Sequence, residues 1–119
     1  MNSNPFGEYI SYLRTSRNYS LRELAEMIGI SPYYLCSIEN GRKKNPNIKI
    51  LGKMYLAFDL RKEEMEKLLD LYAKANDQAS ADIVDYIMEN DKLRSSIRDG
   101  RDEESERYWR EFIERIIDK

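Results

Sequence analysis

Apolar residues recur at helical spacing along nearly the whole 119-residue chain, and no stretch alternates apolar and polar residues long enough to indicate a β-strand. Such a chain has to bury the apolar faces of its helices against one another. Short polar turns separate the helical segments, which favours a compact arrangement of sequential helices. We therefore expect an all-α fold, with a five-helix bundle in residues 1–76 and a helical C-terminal extension in residues 77–119.

Two of the predicted helices are short and closely spaced. The first, Leu21–Ile28, follows Ser20, which has an acidic residue three positions later and so predicts a capping box. It ends at Gly29, a residue that readily adopts a positive φ. The second, Pro32–Asn40, begins with proline at the first helical position and stops before Gly41. Two short helices joined by a tight glycine-containing turn are typical of a helix-turn-helix motif.

The sequence of these helices resembles a known family. Residues 20–31 are SLRELAEMIGIS and residues 38–42 are IENGR. In this register they resemble the phage repressor and Cro-like helix-turn-helix regulators, also called the xenobiotic-response-element type, and the resemblance covers roughly residues 6–60. It implies a five-helix repressor-like DNA-binding bundle whose helix Pro32–Asn40 enters the major groove. That groove, about 12 Å wide, admits one α-helix.

The resemblance also implies which residues of this helix contact base edges. Inward-facing apolar residues leave four side chains on the opposite face, namely Pro32, Tyr33, Cys36 and Ser37. This face departs from the best-known family members because it lacks the Gln, Asn or Arg that makes bidentate contacts to bases. Either specificity depends on Tyr33, Ser37 and DNA shape, or the fold has been partly diverted from DNA.

Positive charge is concentrated near this helix. Residues 1–60 carry 8 Lys and Arg against 5 Asp and Glu (+3), whereas residues 61–119 carry 12 against 17 (−5), which together give the net charge of −2. A local basic patch binds polyanions even in an acidic protein because charges are screened within about 8 Å. We expect phosphate contacts, several of them implied by the resemblance, from Arg17, Arg22, Tyr34, Arg42, Lys43, Lys44, Asn45 and Asn47.

The one acidic residue within the helix Pro32–Asn40 is Glu39. The family pairs a glutamate at this position with an arginine of the helix that precedes the helix-turn-helix motif, and that arginine corresponds to Arg14 here. The resemblance therefore implies a structural ion pair between Arg14 and Glu39.

Composition excludes most enzymatic chemistry. The chain has no histidine and only one cysteine, Cys36, so it cannot form a Ser-His-Asp triad, an imidazole metal site, a thiolate cluster or an intrachain disulfide. We expect no enzymatic activity, no metal and no cofactor. No apolar run approaches the roughly 20 residues that cross a bilayer. The start lacks a signal-peptide pattern, so we expect a cytoplasmic protein without a membrane partner.

The last predicted helix has an unusually broad apolar face made of two adjacent rows. This face either packs on the N-terminal bundle or forms a subunit interface. A second candidate for the dimer interface is the end of the fourth predicted helix, near residue 58, together with the helix that follows it. The residues expected at the tail interface are Tyr108, Trp109, Phe112, Ile113, Ile116 and Ile117.

Together these features predict a sequence-specific DNA-binding transcriptional regulator from a bacterium or phage, acting as a repressor. Its partners are expected to be double-stranded DNA and a second copy of the chain, bound as a homodimer on an inverted repeat. The alternative is a protein-binding module on a helix-turn-helix scaffold, such as an antirepressor, antitoxin or phage-encoded inhibitor. That module would bind its protein partner through the acidic C-terminal half.

Overall fold

A computed structural model describes residues 4–99 and 105–118, apart from the side chains of Ser105, Glu106 and Tyr108. These residues form helices and turns, and none of them lies in a β-strand. The described helices are α1 (Pro5–Ser16), α2 (Leu21–Ile28), α3 (Pro32–Glu39), α4 (Ile48–Phe58), α5 (Lys62–Ala75), α6 (Ala81–Glu89), α7 (Asp91–Asp99) and α8 (Ser105–Ile117).

Local capping explains where the first three helices begin. Asn4 caps α1, with its Oδ1 3.3 Å from the backbone nitrogen of Gly7. Ser20 caps α2 in the predicted capping box: its hydroxyl accepts from the Glu23 backbone nitrogen, and the Glu23 carboxylate accepts from the Ser20 backbone nitrogen. The hydroxyl of Ser31 accepts from the third residue of α3 at 3.0 Å. Each cap satisfies a backbone donor that the helix leaves unpaired.

The turn after α3 ends that helix one residue earlier than the sequence suggests. Asn40 is the C-cap rather than the last helical residue, and Gly41 follows with a φ of +85°. The backbone nitrogen of Lys43 then donates to the carbonyl of Ser37 at 3.0 Å. This bond satisfies a carbonyl at the end of α3 and folds the following residues back against the helix.

The orientation of α4 corrects one prediction. Helical spacing in residues 48–58 predicts that Leu51, Met54, Tyr55 and Phe58 share one inward face. In the structure Tyr55 is 42% exposed, while the other three are buried. Residues 51, 54 and 58 already define the buried stripe, and Tyr55 lies one helical step of about 100° beyond Met54, toward solvent. The tyrosine therefore contributes to the surface rather than to the core.

The N-terminal helices share one continuous core. Apolar side chains from α1 to α5 pack together, so these helices position one another through burial. The buried members are Phe6, Ile10, Leu13, Leu24, Ala25, Ile28, Leu35, Ile38, Leu51, Met54, Phe58, Leu60 and Leu68.

The described structure divides into two compact units, one up to Asp82 and the other from Ile83 onward. This division lies within α6, six residues beyond the boundary expected from the sequence. In the second unit, none of the described side chains of α6, α7 and α8 is buried. Among the described helices, none is both long and apolar enough to span a membrane.

Candidate nucleic-acid interface

The helix-turn-helix geometry comes from close packing of α2 against α3. Gly29 adopts a φ of +76° at the end of α2, and the next residue, Ile30, donates its backbone N–H to the Ala25 carbonyl at 3.0 Å. This turn lets the buried faces of the two helices meet in the core. Packing on this side leaves the opposite face of α3 toward solvent.

The outer face of α3, defined here as Pro32, Tyr33, Cys36 and Ser37, carries the four residues expected to contact bases. Tyr33 is 72% exposed. The Ser37 hydroxyl donates to the Tyr33 carbonyl at 3.0 Å, so its lone pairs remain able to accept from a base amino group. Cys36 is half-buried, and its sulfur lies 3.9 Å from Nδ2 of Asn40.

The segment that follows, residues 42–44, forms the basic loop and contains Arg42, Lys43 and Lys44. The carbonyl of Lys44 accepts from Nδ2 of Asn76 at 2.7 Å, and the carbonyl of Pro46 accepts from the Tyr72 hydroxyl at 2.8 Å. Burial raises the pKa of Tyr72, which keeps this hydroxyl protonated as a donor. Side chains at the end of α5 therefore hold the last residue of the basic loop and the proline two residues beyond it.

Asn4, the cap of α1, and Gly7 within α1 support the end of α3, and neither role was predicted from the sequence. Nδ2 of Asn4 donates to the Glu39 carbonyl at 2.8 Å. Gly7 lies so close that a Cβ there would be 2.4 Å from the Glu39 carbonyl oxygen and 2.5 Å from that of Ile38. Only glycine fits this approach. The sequence shows a glycine near the start of a helix, but the approach of the Ile38 and Glu39 carbonyls to Gly7 could not be predicted from it.

Arg14 and Glu39 form the ion pair that the family resemblance implies. Nε and Nη2 of Arg14 lie 2.8 and 3.0 Å from the two carboxylate oxygens, and Nη1 donates to the Tyr19 carbonyl at 2.9 Å. The side chains are 14% and 10% exposed. The hydrogen bond to Glu39 raises the pKa of Arg14, so the guanidinium stays charged. It joins α1 to the end of α3.

The remaining residues expected to contact phosphate differ in how they are placed. Arg17 is engaged within the protein, because Nε donates to the Phe58 carbonyl at 2.8 Å and Nη2 lies 3.4 Å from Glu64. Tyr34 is half-buried and packs against the core. Three others are exposed: Arg22 near the start of α2, Asn45, and Asn47, whose Oδ1 caps α4. Among the described residues, no three potential metal-binding side chains lie together.

The broad apolar face of α8 is largely exposed. Its described members are Trp109, Ile113, Ile116 and Ile117, all exposed, and Phe112, which is half-buried with its ring centroid 5.7 Å from that of Trp109. The side chain of Tyr108 lies outside the described residues. The structure thus brings together the basic loop and the outer face of α3, and the expected tail residues belong to the second unit.

Comparison with known proteins identifies the family. The model of the helix-turn-helix domain family matches residues 7–74. The transcriptional regulator SinR of Bacillus subtilis (strain 168) is 30% identical over 108 residues, which cover 91% of this chain and 88% of SinR. The chain belongs to the Cro/C1-type helix-turn-helix family of transcriptional regulators. This family is not one of enzymes.

Two solved structures are also similar to this helix-turn-helix regulator. A crystal structure of the master regulator for biofilm formation SinR in complex with DNA is 37% identical, covers 50% of this chain and 97% of that chain, and has a TM-score of 0.45. A chain in a complex of the SinR and SinI proteins is 28% identical, with a TM-score of 0.49. The match covers 89% of this chain and 97% of that chain.

Proposed function

We propose that this regulator controls transcription by binding specific double-stranded DNA, with α1–α5 as a repressor-like bundle and α3 in the major groove. The observation that carries the proposal is the solvent-facing outer face of α3, on which Pro32 and Tyr33 are exposed, followed after two residues by the basic loop. In helix-turn-helix proteins the second helix contacts base edges while neighbouring groups contact the phosphates. A cationic loop at the end of this helix matches that arrangement.

The phosphate contacts that we propose come from the exposed or loop residues. Arg17 is left out of this set because its hydrogen bonds go to Phe58 and Glu64. Tyr34 contributes only through the part of its side chain that remains accessible. The proposed set is therefore Arg22, Lys43, Lys44, Asn45, Asn47 and the accessible part of Tyr34. Arg42 is adjacent to this set in the sequence.

Salt dependence tests this proposal directly. DNA selected by the protein from a random pool should bind with a log–log salt slope of about −0.9 for each neutralised phosphate. Lys43→Ala and Lys44→Ala should each reduce the slope by about 1 and weaken binding to all sequences alike. Lys62→Ala is the matched control, because this exposed lysine lies on α5 next to Glu66. Failure to enrich any sequence, or binding without salt dependence, would overturn the proposal.

We also propose that the regulator is a repressor that acts as a homodimer assembled through the second unit. Support comes from exposed apolar residues on α6–α8, whose described side chains include none that is buried. A dimer would present two α3 helices about 34–36 Å apart to successive major grooves of an inverted repeat. Light scattering of a chain truncated after residue 99 tests the interface. A truncated chain that remains dimeric would exclude α8 and leave α6 and α7, or the end of α4 with α5, as the interface.

A second candidate function is favoured by the same exposed surface. Residues 61–119 carry a net charge of −5, and an acidic segment with exposed apolar helices fits a protein partner of basic and apolar character. We propose this partner as an addition to the DNA-binding function rather than a replacement. If DNA binding is absent while a protein partner is bound, the protein-binding module becomes the better description.

A further inference from the structure

Arg42 is held in one orientation by two neighbouring side chains. Its guanidinium carbon lies 5.7 Å from the centroid of the Tyr33 ring. Its Nε is 3.3 Å from Oδ1 of Asn40, which also accepts the backbone N–H of Arg42 at 3.0 Å. The Tyr33 ring contacts the guanidinium of Arg42, and the Asn40 amide oxygen lies beside its Nε. Together these two contacts favour an orientation in which the terminal nitrogens of Arg42 point away from Asn40.

The outward edge is available for binding. Neither terminal nitrogen of Arg42 has a hydrogen-bond acceptor within residues 4–99 and 105–118, and the residue is exposed. Arg14 differs, because its terminal nitrogens are engaged by Tyr19 and Glu39. A planar fork with two open donors matches an acceptor that offers two lone pairs in one plane.

The ring contact also changes where this fork lies. Tyr33 is in the first turn of α3, and Asn40 is seven residues further along, or about 10 Å at 1.5 Å per residue. Because the guanidinium of Arg42 contacts the Tyr33 ring, the two side chains meet alongside the outer face of α3. The first turns of a recognition helix are the part that meets base edges, whereas phosphates flank the groove.

We propose that Arg42 is a specificity-determining residue, which donates two hydrogen bonds to O6 and N7 of a guanine in the major groove. Tyr33 and Asn40 act as positioning residues for this contact. The inference rests on the proposed DNA-binding function and deepens it. Arg42 would supply, from outside the helix, the bidentate contact that the side chains of α3 lack.

The test compares base preference rather than affinity alone. Full-length protein is used to select DNA from a random pool, and the selection is repeated with Arg42→Ala. The wild-type motif should contain a fixed guanine, and replacing that guanine by another base should weaken wild-type binding about 5- to 150-fold. For Arg42→Ala, the four bases at this position should bind with nearly equal affinity. Replacing the guanine by 7-deazaguanine removes one acceptor and should weaken only the wild type.

Two further variants separate this contact from a phosphate contact. Lys43→Ala should weaken binding to all sequences and keep the guanine preference, because the proposed contact of Lys43 is with phosphate rather than with a base. Tyr33→Phe retains the ring and should also keep the preference, whereas Tyr33→Ala should reduce it. Circular dichroism of Arg42→Ala checks that the exposed substitution leaves the fold intact.

The outcomes distinguish this inference from the proposed function. If wild-type protein enriches a motif but Arg42→Ala keeps the same guanine preference, the inference is wrong and the DNA-binding function stands. A wild-type motif without a fixed guanine also refutes the inference. Uniform weakening of all sequences by Arg42→Ala, with a smaller salt slope, refutes it as well and assigns Arg42 to a phosphate contact. If no sequence is enriched at all, both proposals are wrong.

Discussion

Gly7 allows α1 to pass unusually close to the end of α3. A Cβ at this position would lie 2.4 Å from the Glu39 carbonyl oxygen and 2.5 Å from that of Ile38. Carbon and oxygen atoms normally approach to about 3.3 Å, so Gly7→Ala would force the backbones apart by about 0.9 Å. The obstructing atoms belong to the backbone and cannot rotate away. We place the steric cost in the upper half of the usual overpacking range, at about 2–3 kcal/mol.

Gly52→Ala provides the matched control. Gly52 is an exposed residue within α4, and a Cβ there would meet nothing within 4 Å. Alanine in an exposed helix interior should stabilise the protein by about 0.5–1 kcal/mol relative to glycine. Both variants gain this helix propensity, so the difference between them isolates the steric cost at Gly7. Net destabilisation by Gly7→Ala should be about 1–2 kcal/mol.

Urea unfolding of the full chain, followed by far-ultraviolet circular dichroism, measures both variants. The free energies of unfolding should differ by about 2–3 kcal/mol, and the melting temperatures by roughly 10–20 °C for a unit of this size. Gly7→Ala should also weaken DNA binding because it displaces the end of α3 and the loop that follows. Equal stability of the two variants would refute the argument, since it would mean that α1 and α3 separate at no cost.

Two further predictions concern the ion pairs of the first unit. Arg14→Ala leaves the Glu39 carboxylate, only 10% exposed, without its bidentate partner and should cost about 3 kcal/mol in urea unfolding; a loss below about 1 kcal/mol would contradict the structural role of this pair. The hydrogen bond from the Arg61 backbone N–H lowers the pKa of Glu64, so this group stabilises the fold above the unfolded pKa of about 4.3 and loses that effect as the pH falls through its folded pKa. The stability difference between wild type and Glu64→Gln should therefore shrink between about pH 5 and about pH 3, and a difference that does not change with pH would be inconsistent with this assignment.

The positions of α2 and α3 could be predicted because their signals are local. Ser20, Ser31 and Gly29 act on backbone groups within a few residues, so a single sequence is enough to place the helix ends. The all-α fold class could be predicted from the helical spacing of apolar residues along the chain. The error at Tyr55 arose because a helical wheel does not determine how far around the helix the core extends.

The supports of the candidate site could not be predicted in this way. Asn4 and Glu39 are 35 residues apart in sequence, and Arg17 and Phe58 are 41 apart. Such contacts depend on how the helices pack in space, which no local pattern encodes. Arg42 was predicted only to contact phosphate, because its contact with Tyr33 exists only once the loop has folded back.

The side chain of Asn4 joins the start of α1 to the end of α3, since it caps one helix and donates to the last residue of the other. Its amide group also lies within about 3 Å of where a side chain at Gly41 would begin. Polypeptide fused ahead of Asn4 is thus attached beside the loop that carries Arg42. A purification tag or reporter domain attached directly before Asn4 should therefore weaken operator binding by steric competition.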